Sequence, residues 1–279
     1  MQAIEGEGRS EMEYTEIETS ADSLDSSVIF HVVTDILGFV LYMHQQIPSI
    51  FQDICVEFDT LRTEYKELEK DLAQTEEKAS LRRKHAGRMR DVKREIRRLE
   101  KLMNTVSNLQ TALQLMISEN PNIQEIILAL GATPLRPQHV YQVCFSHGKV
   151  VSKGACDFTK SKAAEALSRK AIRTMISKGA GSDSYPGPTK LFMLVKAPSS
   201  FSLPLHFLPK RDFKYSKKVV PFRLRFKCRT QNHEMDSSHY DSEAASSTKL
   251  VDSTSNDLLW FQCRHILKGL ACKTSTTEE

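Results

Sequence analysis

A chain of 279 residues, 40% hydrophobic and 27% charged, can bury a sizeable core as one large domain or two small ones, which excludes wholesale disorder. Six cysteines (Cys55, Cys144, Cys156, Cys228, Cys263, Cys272) lack CxxC spacing, which argues against a paired-ligand zinc site or a disulfide scaffold and suits a reducing compartment. The net charge of +4 averages over charged blocks: residues 1–27 hold eight acids against Arg9, 82–101 ten bases against three acids, and 210–229 nine bases against Asp212.

Residues 1–27, rich in Glu, Ser and Thr, are expected to be a disordered acidic tail, too polar to offset the entropy of ordering. Their acidic start is unlike a secretory signal. The greasy stretch Val28–Met43 is interrupted by His31, Thr34 and Asp35 and falls short of the roughly 20 apolar residues of a membrane span. With Ser26 or Ser27 as N-cap, it predicts a helix to about Gln46, limited by Pro48. Val28, Val32, Leu37 and Leu41 make that helix apolar nearly all round, so it should be central and buried.

Long helices are expected over 57–118. Leu61, Tyr65, Leu68, Leu72 and Ala79 mark one stripe; Val92, Ile96, Leu99, Met103, Val106, Leu113 and Ile117 mark another. Gly87 and the run Arg82–Lys84 suggest a break between them. The spacing suits a helical hairpin or a short coiled coil. Ile126–Gly131 reads as a buried strand or a helix end, and Val140–Phe145 as a strand leading to a turn near Gly148. Residues 160–178 return to helical spacing, with Ala164, Leu167, Ala171 and Met175 inward and Lys162, Arg169, Lys170 and Arg173 outward.

The last third reads as sheet. Leu191–Val195 is a buried strand. In Val219–Arg229, Phe222, Leu224, Phe226 and Cys228 alternate with Arg223, Arg225, Lys227 and Arg229, predicting a half-buried strand with a basic open face. Like charges on one face repel, so an acidic partner is expected there, the chain's own residues 1–27 or 230–257 being candidates. Residues 230–257, with seven serines and six acids, are expected to be a flexible loop. Leu258–Leu267 is the final strand, and 274–279 a disordered tail.

No P-loop, dinucleotide fingerprint, HExxH or nucleophile elbow is present, so no enzyme is expected, and no cofactor or metal either. Gly179–Gly181 follows a helix and reads as its C-cap turn. Cys263 and His265, two apart on the predicted strand and so on the same face, have the spacing of a catalytic or metal pair, against which the favoured reading is a small buried thiol and a neighbour. The basic run 82–101 could mimic a DNA-crossing helix. Against that stand the interleaved Asp91, Glu95 and Glu100, the break at Gln110 and the lack of aromatic residues for base stacking. A basic, coiled-coil-containing nucleic-acid or chromatin binder remains the alternative reading.

Three short motifs stand in register: Tyr42-Met43-His44-Gln45-Gln46-Ile47-Pro48; Leu130-Gly131 with Leu135, Pro137 and Tyr141; and Trp260-Phe261-Gln262 with Lys268-Gly269. Together they resemble the comet family of spindle-checkpoint silencers, over roughly residues 28–272. The resemblance implies an α+β, HORMA-like domain over 28–273: a helical layer on a mainly antiparallel sheet, with a C-terminal "safety belt" anchored at Trp260, Phe261 and Gln262. It implies an adaptor that binds a closed Mad-two-type HORMA protein, or meiotic HORMA proteins, and presents it to a AAA+ remodelling ATPase. Nucleus and cytoplasm, with chromosomes or kinetochores, are the implied locations; membrane and nucleic acid are not implied partners. The partner interface implied falls on Met43, Arg169, Ile172, Arg173 and Ile176. Met43 and Ile172 stand where the family has a glutamine and a phenylalanine. Ile172 therefore reads either as core or as a hot spot with an arginine rim.

Overall fold

The computed structural model describes residues 14–19, 24–74, 79–120, 123–146, 158–181, 187–228 and 258–270. Among them are four helices and an eight-stranded mixed sheet, an α+β arrangement. The expected loop 230–257, the turn at Gly148 and the tail 274–279 lie outside the described residues.

Helix α1 (Ser26–Met43) follows from an almost continuous apolar run, and eight of its eighteen side chains are buried. Its N-cap position is Asp25 and not Ser26 or Ser27. Ser26 is already helical, while the Ser27 hydroxyl donates to the Thr159 carbonyl, tying α1 to the segment that leads into the last helix. Helix α2 (Phe51–Gln74) and helix α3 (Ala79–Glu119) form the antiparallel hairpin, shown by Arg88 against Glu64, Lys93 over Tyr65 and Cys55 beside Met103. At 1.5 Å per residue, the 41-residue α3 is about 60 Å long. The expected break at Gly87 does not occur: α3 runs straight through it. One glycine costs only about 1 kcal/mol in a helix, and contacts with α2 just beyond it, Arg88 on Glu64 and Lys93 over Tyr65, help carry the helix through.

Strands β2 (Glu125–Thr133) and β3 (Arg136–Ser146) form a hairpin, which settles 126–131 as strand. Gly131 sits where β2 crosses the turn: a Cβ there would lie 2.8 Å from the Pro137 Cα, so no larger residue fits. After helix α4 (Lys162–Ser177) come β4 (Lys190–Pro198), β5 (Phe207–Lys210), β6 (Phe222–Lys227), β7 (Leu258–Cys263) and β8 (Leu267–Lys268). The predicted final strand is thus two strands separated by a bend at Arg264.

A strand absent from the sequence reading lies at one edge. Thr15–Glu18, inside the segment expected to be disordered, forms β1 and pairs in parallel with β6. The sheet order is β1-β6-β3-β2-β4-β7-β5, with β8 on the free end of β4. Alternation sends Ile126, Leu128, Val143, Met193, Val195, Leu224 and Phe226 into the main core beneath the helices. Ile127, Ala129, Val140, Phe192 and Leu194 form a smaller core on the helix-free face, covered by Phe213, Tyr215, Val219 and Trp260.

The charge conflict on β6 is met by β1 and by Tyr14 just before it. Lys227 pairs with Glu16 at 2.5 Å, and Arg225 and Arg223 lie 3.7 and 5.8 Å from the Tyr14 ring. The expected acidic partner is therefore supplied in part by the chain's own residues 1–27, while the face stays partly open, with the Lys227 side chain 39% exposed. Ile17 supplies the anchor, fully buried in the main core.

Candidate partner-binding face

α1 and α4 run side by side in the same direction. His31 Nε2 meets the Phe158 carbonyl at 2.7 Å and Lys160 pairs with Asp35 at 2.8 Å, so α1 is fixed to the leader of α4. At the other end, Met43 packs on the Gly179–Gly181 turn, where a Cβ on Gly181 would collide with the Met43 Cγ. Gly179 and Gly181 adopt positive φ, as the C-cap reading required. Ser161 caps α4 by accepting from the Ala164 amide.

The helical pattern of α4 buries Ala164, Leu167, Ala171 and Met175, as the spacing predicted. Arg169 and Arg173 are exposed, and Arg169 pairs with Glu165 one turn earlier. Of the two isoleucines, Ile172 is half-buried on the flank of the helix, whereas Ile176 is 59% exposed. The exposed isoleucine beside the arginines is therefore Ile176. Lys170 faces the opposite flank, where its ammonium donates to the Glu18 carbonyl of β1. Tyr42, 48% exposed, joins Ile176 and Met43 at this end of the helix pair. The sequence reading missed it as a surface residue, although it falls seven residues after Asp35 and so on the same polar edge of α1.

The three motifs converge on a second place, next to this face. His44 Nε2 meets the Tyr141 hydroxyl at 2.6 Å and its ring stacks 4.1 Å from His139. The buried Gln46 amide donates to the carbonyls of His44 (2.8 Å) and Gly187 (3.2 Å), and its oxygen accepts from the Thr189 amide at 2.7 Å. The Gln46 carbonyl accepts from the Leu270 amide, and the Thr189 carbonyl accepts from the Gly269 amide. A Cβ on Gly269 would collide with the Gln46 amide oxygen, so this latch requires glycine. Gln46 thus joins the end of α1, the approach to β4 and the C-terminal segment.

Trp260, Phe261 and Gln262 lie in β7, hydrogen-bonded to β4 on one side and β5 on the other. Phe261 is buried against Phe201 on the helix side; Trp260 faces away, against Phe213 and Lys196. Cys263 and His265 are not paired across a strand face, because β7 ends at Cys263. His265 Nε2 instead lies 3.0 Å from His206 Nδ1, a contact the sequence could not announce, since the two rings come from segments on either side of the β5–β7 connection. Burial, with the neighbouring His206, holds His265 below its ordinary value. Burial also pushes the Cys263 thiol up to about 11.

On the helix-free face, a cavity of about 810 Å³ is lined by Phe213, Tyr215, Phe222, Arg223, Glu125 and Trp260. Glu125 is engaged there by Gln142 and by Lys196. Comparison with protein-family models and with curated proteins returns no match to this chain.

Proposed function

We propose that this chain is a HORMA-fold adaptor that binds a closed Mad-two-type HORMA protein and presents it to a AAA+ remodelling ATPase, in checkpoint silencing or on meiotic HORMA proteins. The observation that carries the reading is the convergence of its three motifs: His44 on Tyr141, and Gln46 on the segment around Gly269. Residues far apart in sequence owe their co-occurrence to one latch that fixes the C-terminal segment on the sheet. The lane between β4 and β5 is filled by the chain's own β7, which suits a protein that docks as a body and does not clasp a peptide.

The docking end is Tyr42, Met43, Ile172 and Ile176, with Arg169 and Arg173 as its rim. An apolar centre with a charged border is the anatomy of a hot-spot interface. No step in this reading is catalytic, and the working places it implies are nucleus and cytoplasm.

The test is reconstitution. The purified chain, a closed Mad-two-type protein and the ATPase should together convert the closed form to the open one when ATP is added. Omitting the chain should stop the conversion. Failure of the chain to retain any closed HORMA protein of its host would overturn the proposal.

A further inference from the structure

The helical hairpin divides charge between its two arms. α2 holds seven acids against three bases, and α3 ten bases against four acids. Arg83, Arg90, Arg94, Arg97 and Lys101, with Gly87 among them, succeed one another in steps of four and three and so form a single stripe along α3. All five side chains are exposed. The buried Val92, Leu99, Leu102 and Val106 occupy the other side of the same helix.

The acids that interleave with these bases in sequence mostly do not interleave in space. Glu95 and Glu100 fall off the stripe, half-buried Glu95 pairing with Arg98, and Asp91 sits at its edge. Among the described residues only Arg94 of the five joins an ion pair, with Asp91 at 3.1 Å. That pair is solvent-exposed and so is weak enough to exchange for another anion.

We propose that the outer face of α3 is a second binding surface, a phosphate-tracking stripe for duplex nucleic acid. From Arg83 to Lys101 it runs about 27 Å at 1.5 Å per residue, the length of about eight base pairs at 3.4 Å each. Four of its five bases are arginines, whose planar, fixed charge matches phosphate oxygens. The stripe holds no aromatic residue for stacking on unpaired bases and no apolar anchor for an acidic peptide. Binding is therefore through the backbone and independent of base sequence. This surface does not rest on the adaptor reading and lies on other elements.

The experiment is fluorescence anisotropy of a labelled 20-base-pair DNA duplex with the full chain, from 50 to 200 mM NaCl. Five phosphate contacts predict a loss of affinity of about 500-fold over that range, against about 12-fold for Arg83→Gln/Arg90→Gln/Arg97→Gln, which keeps two. The comparison variant is Lys214→Gln/Lys217→Gln/Lys218→Gln, equal in charge and exposed on the helix-free side, which should keep the wild-type slope. Circular dichroism should show that both variants retain helix. No binding at 50 mM NaCl would overturn the proposal, as would an equal loss in both variants. So would a polyglutamate peptide that binds as tightly as the duplex at the same salt.

Discussion

Gln46 is a polar side chain buried where apolar ones are the rule, and its three hydrogen bonds explain why it is tolerated there. Removing them strands the Thr189 amide and two carbonyls away from water. Gln46→Ala should therefore cost about 2–4 kcal/mol, read as a lower urea midpoint. A change within about 0.5 kcal/mol would mean the latch is an ornament of the fold. The glutamine was visible in the sequence as part of a motif; its partners were not, because they come from two distant segments. The cysteines separate by environment in the same way. Cys263, buried and pushed up to about 11, stays a protonated thiol at pH 8, whereas Cys55 is exposed. Iodoacetamide at pH 8 should label Cys55 and spare Cys263 until the protein unfolds, as peptide mass spectrometry would show. Equal labelling rates in the native state would contradict the burial of Cys263.

Among the elements, those whose signal is local were legible and those made by distant pairing were not. α4 was readable because Ala164, Leu167, Ala171 and Met175 repeat at helical spacing and are the residues that become buried. β1 was not, because four residues in an acid-rich stretch look like tail by composition. What orders them is charge and backbone pairing with β6, whose Leu224 is the partner of Thr15, and the burial of Ile17. Ile17→Ala should cost about 2–4 kcal/mol in a urea titration, the ordinary range for emptying a core isoleucine site. An unchanged midpoint would return the segment to the status of a tail. Gly87 misled in the opposite direction: a local breaker signal was overridden by tertiary support along the hairpin.

At the scale of the molecule, the sheet is closed on its C-terminal side by the chain itself. β7 lies between β4 and β5, β8 pairs with the start of β4, and Gln46 fixes Gly269 and Leu270 just beyond it. The α+β layering was legible in the order of helices and strands; the latch that unites three motifs was visible only as their co-occurrence. His265, at the bend between β7 and β8, makes this closure sensitive to acid. Its folded value lies below the ordinary 6.5, so below that pH the unfolded chain binds a proton more readily than the folded one. The stability it contributes is present above pH 6.5 and is lost as pH falls through the lowered value. Urea midpoints should drop from pH 7.5 to 5, and His265→Gln should flatten that slope; an identical slope in the variant would place the acid sensitivity elsewhere.

The adaptor reading is tested most directly at the end of the α1–α4 pair. Ile176 is exposed, so Ile176→Glu should leave the urea midpoint within about 0.5 kcal/mol of wild type. In a desolvated interface the same charge should weaken binding by at least about 2 kcal/mol, roughly thirtyfold. Titration calorimetry of a closed Mad-two-type protein into wild type and Ile176→Glu measures this directly. Tight binding by wild type, with a loss of thirtyfold or more in the variant, is the result expected. Equal affinities would remove the partner from this face, and no heat of binding to either protein would contradict the adaptor function itself.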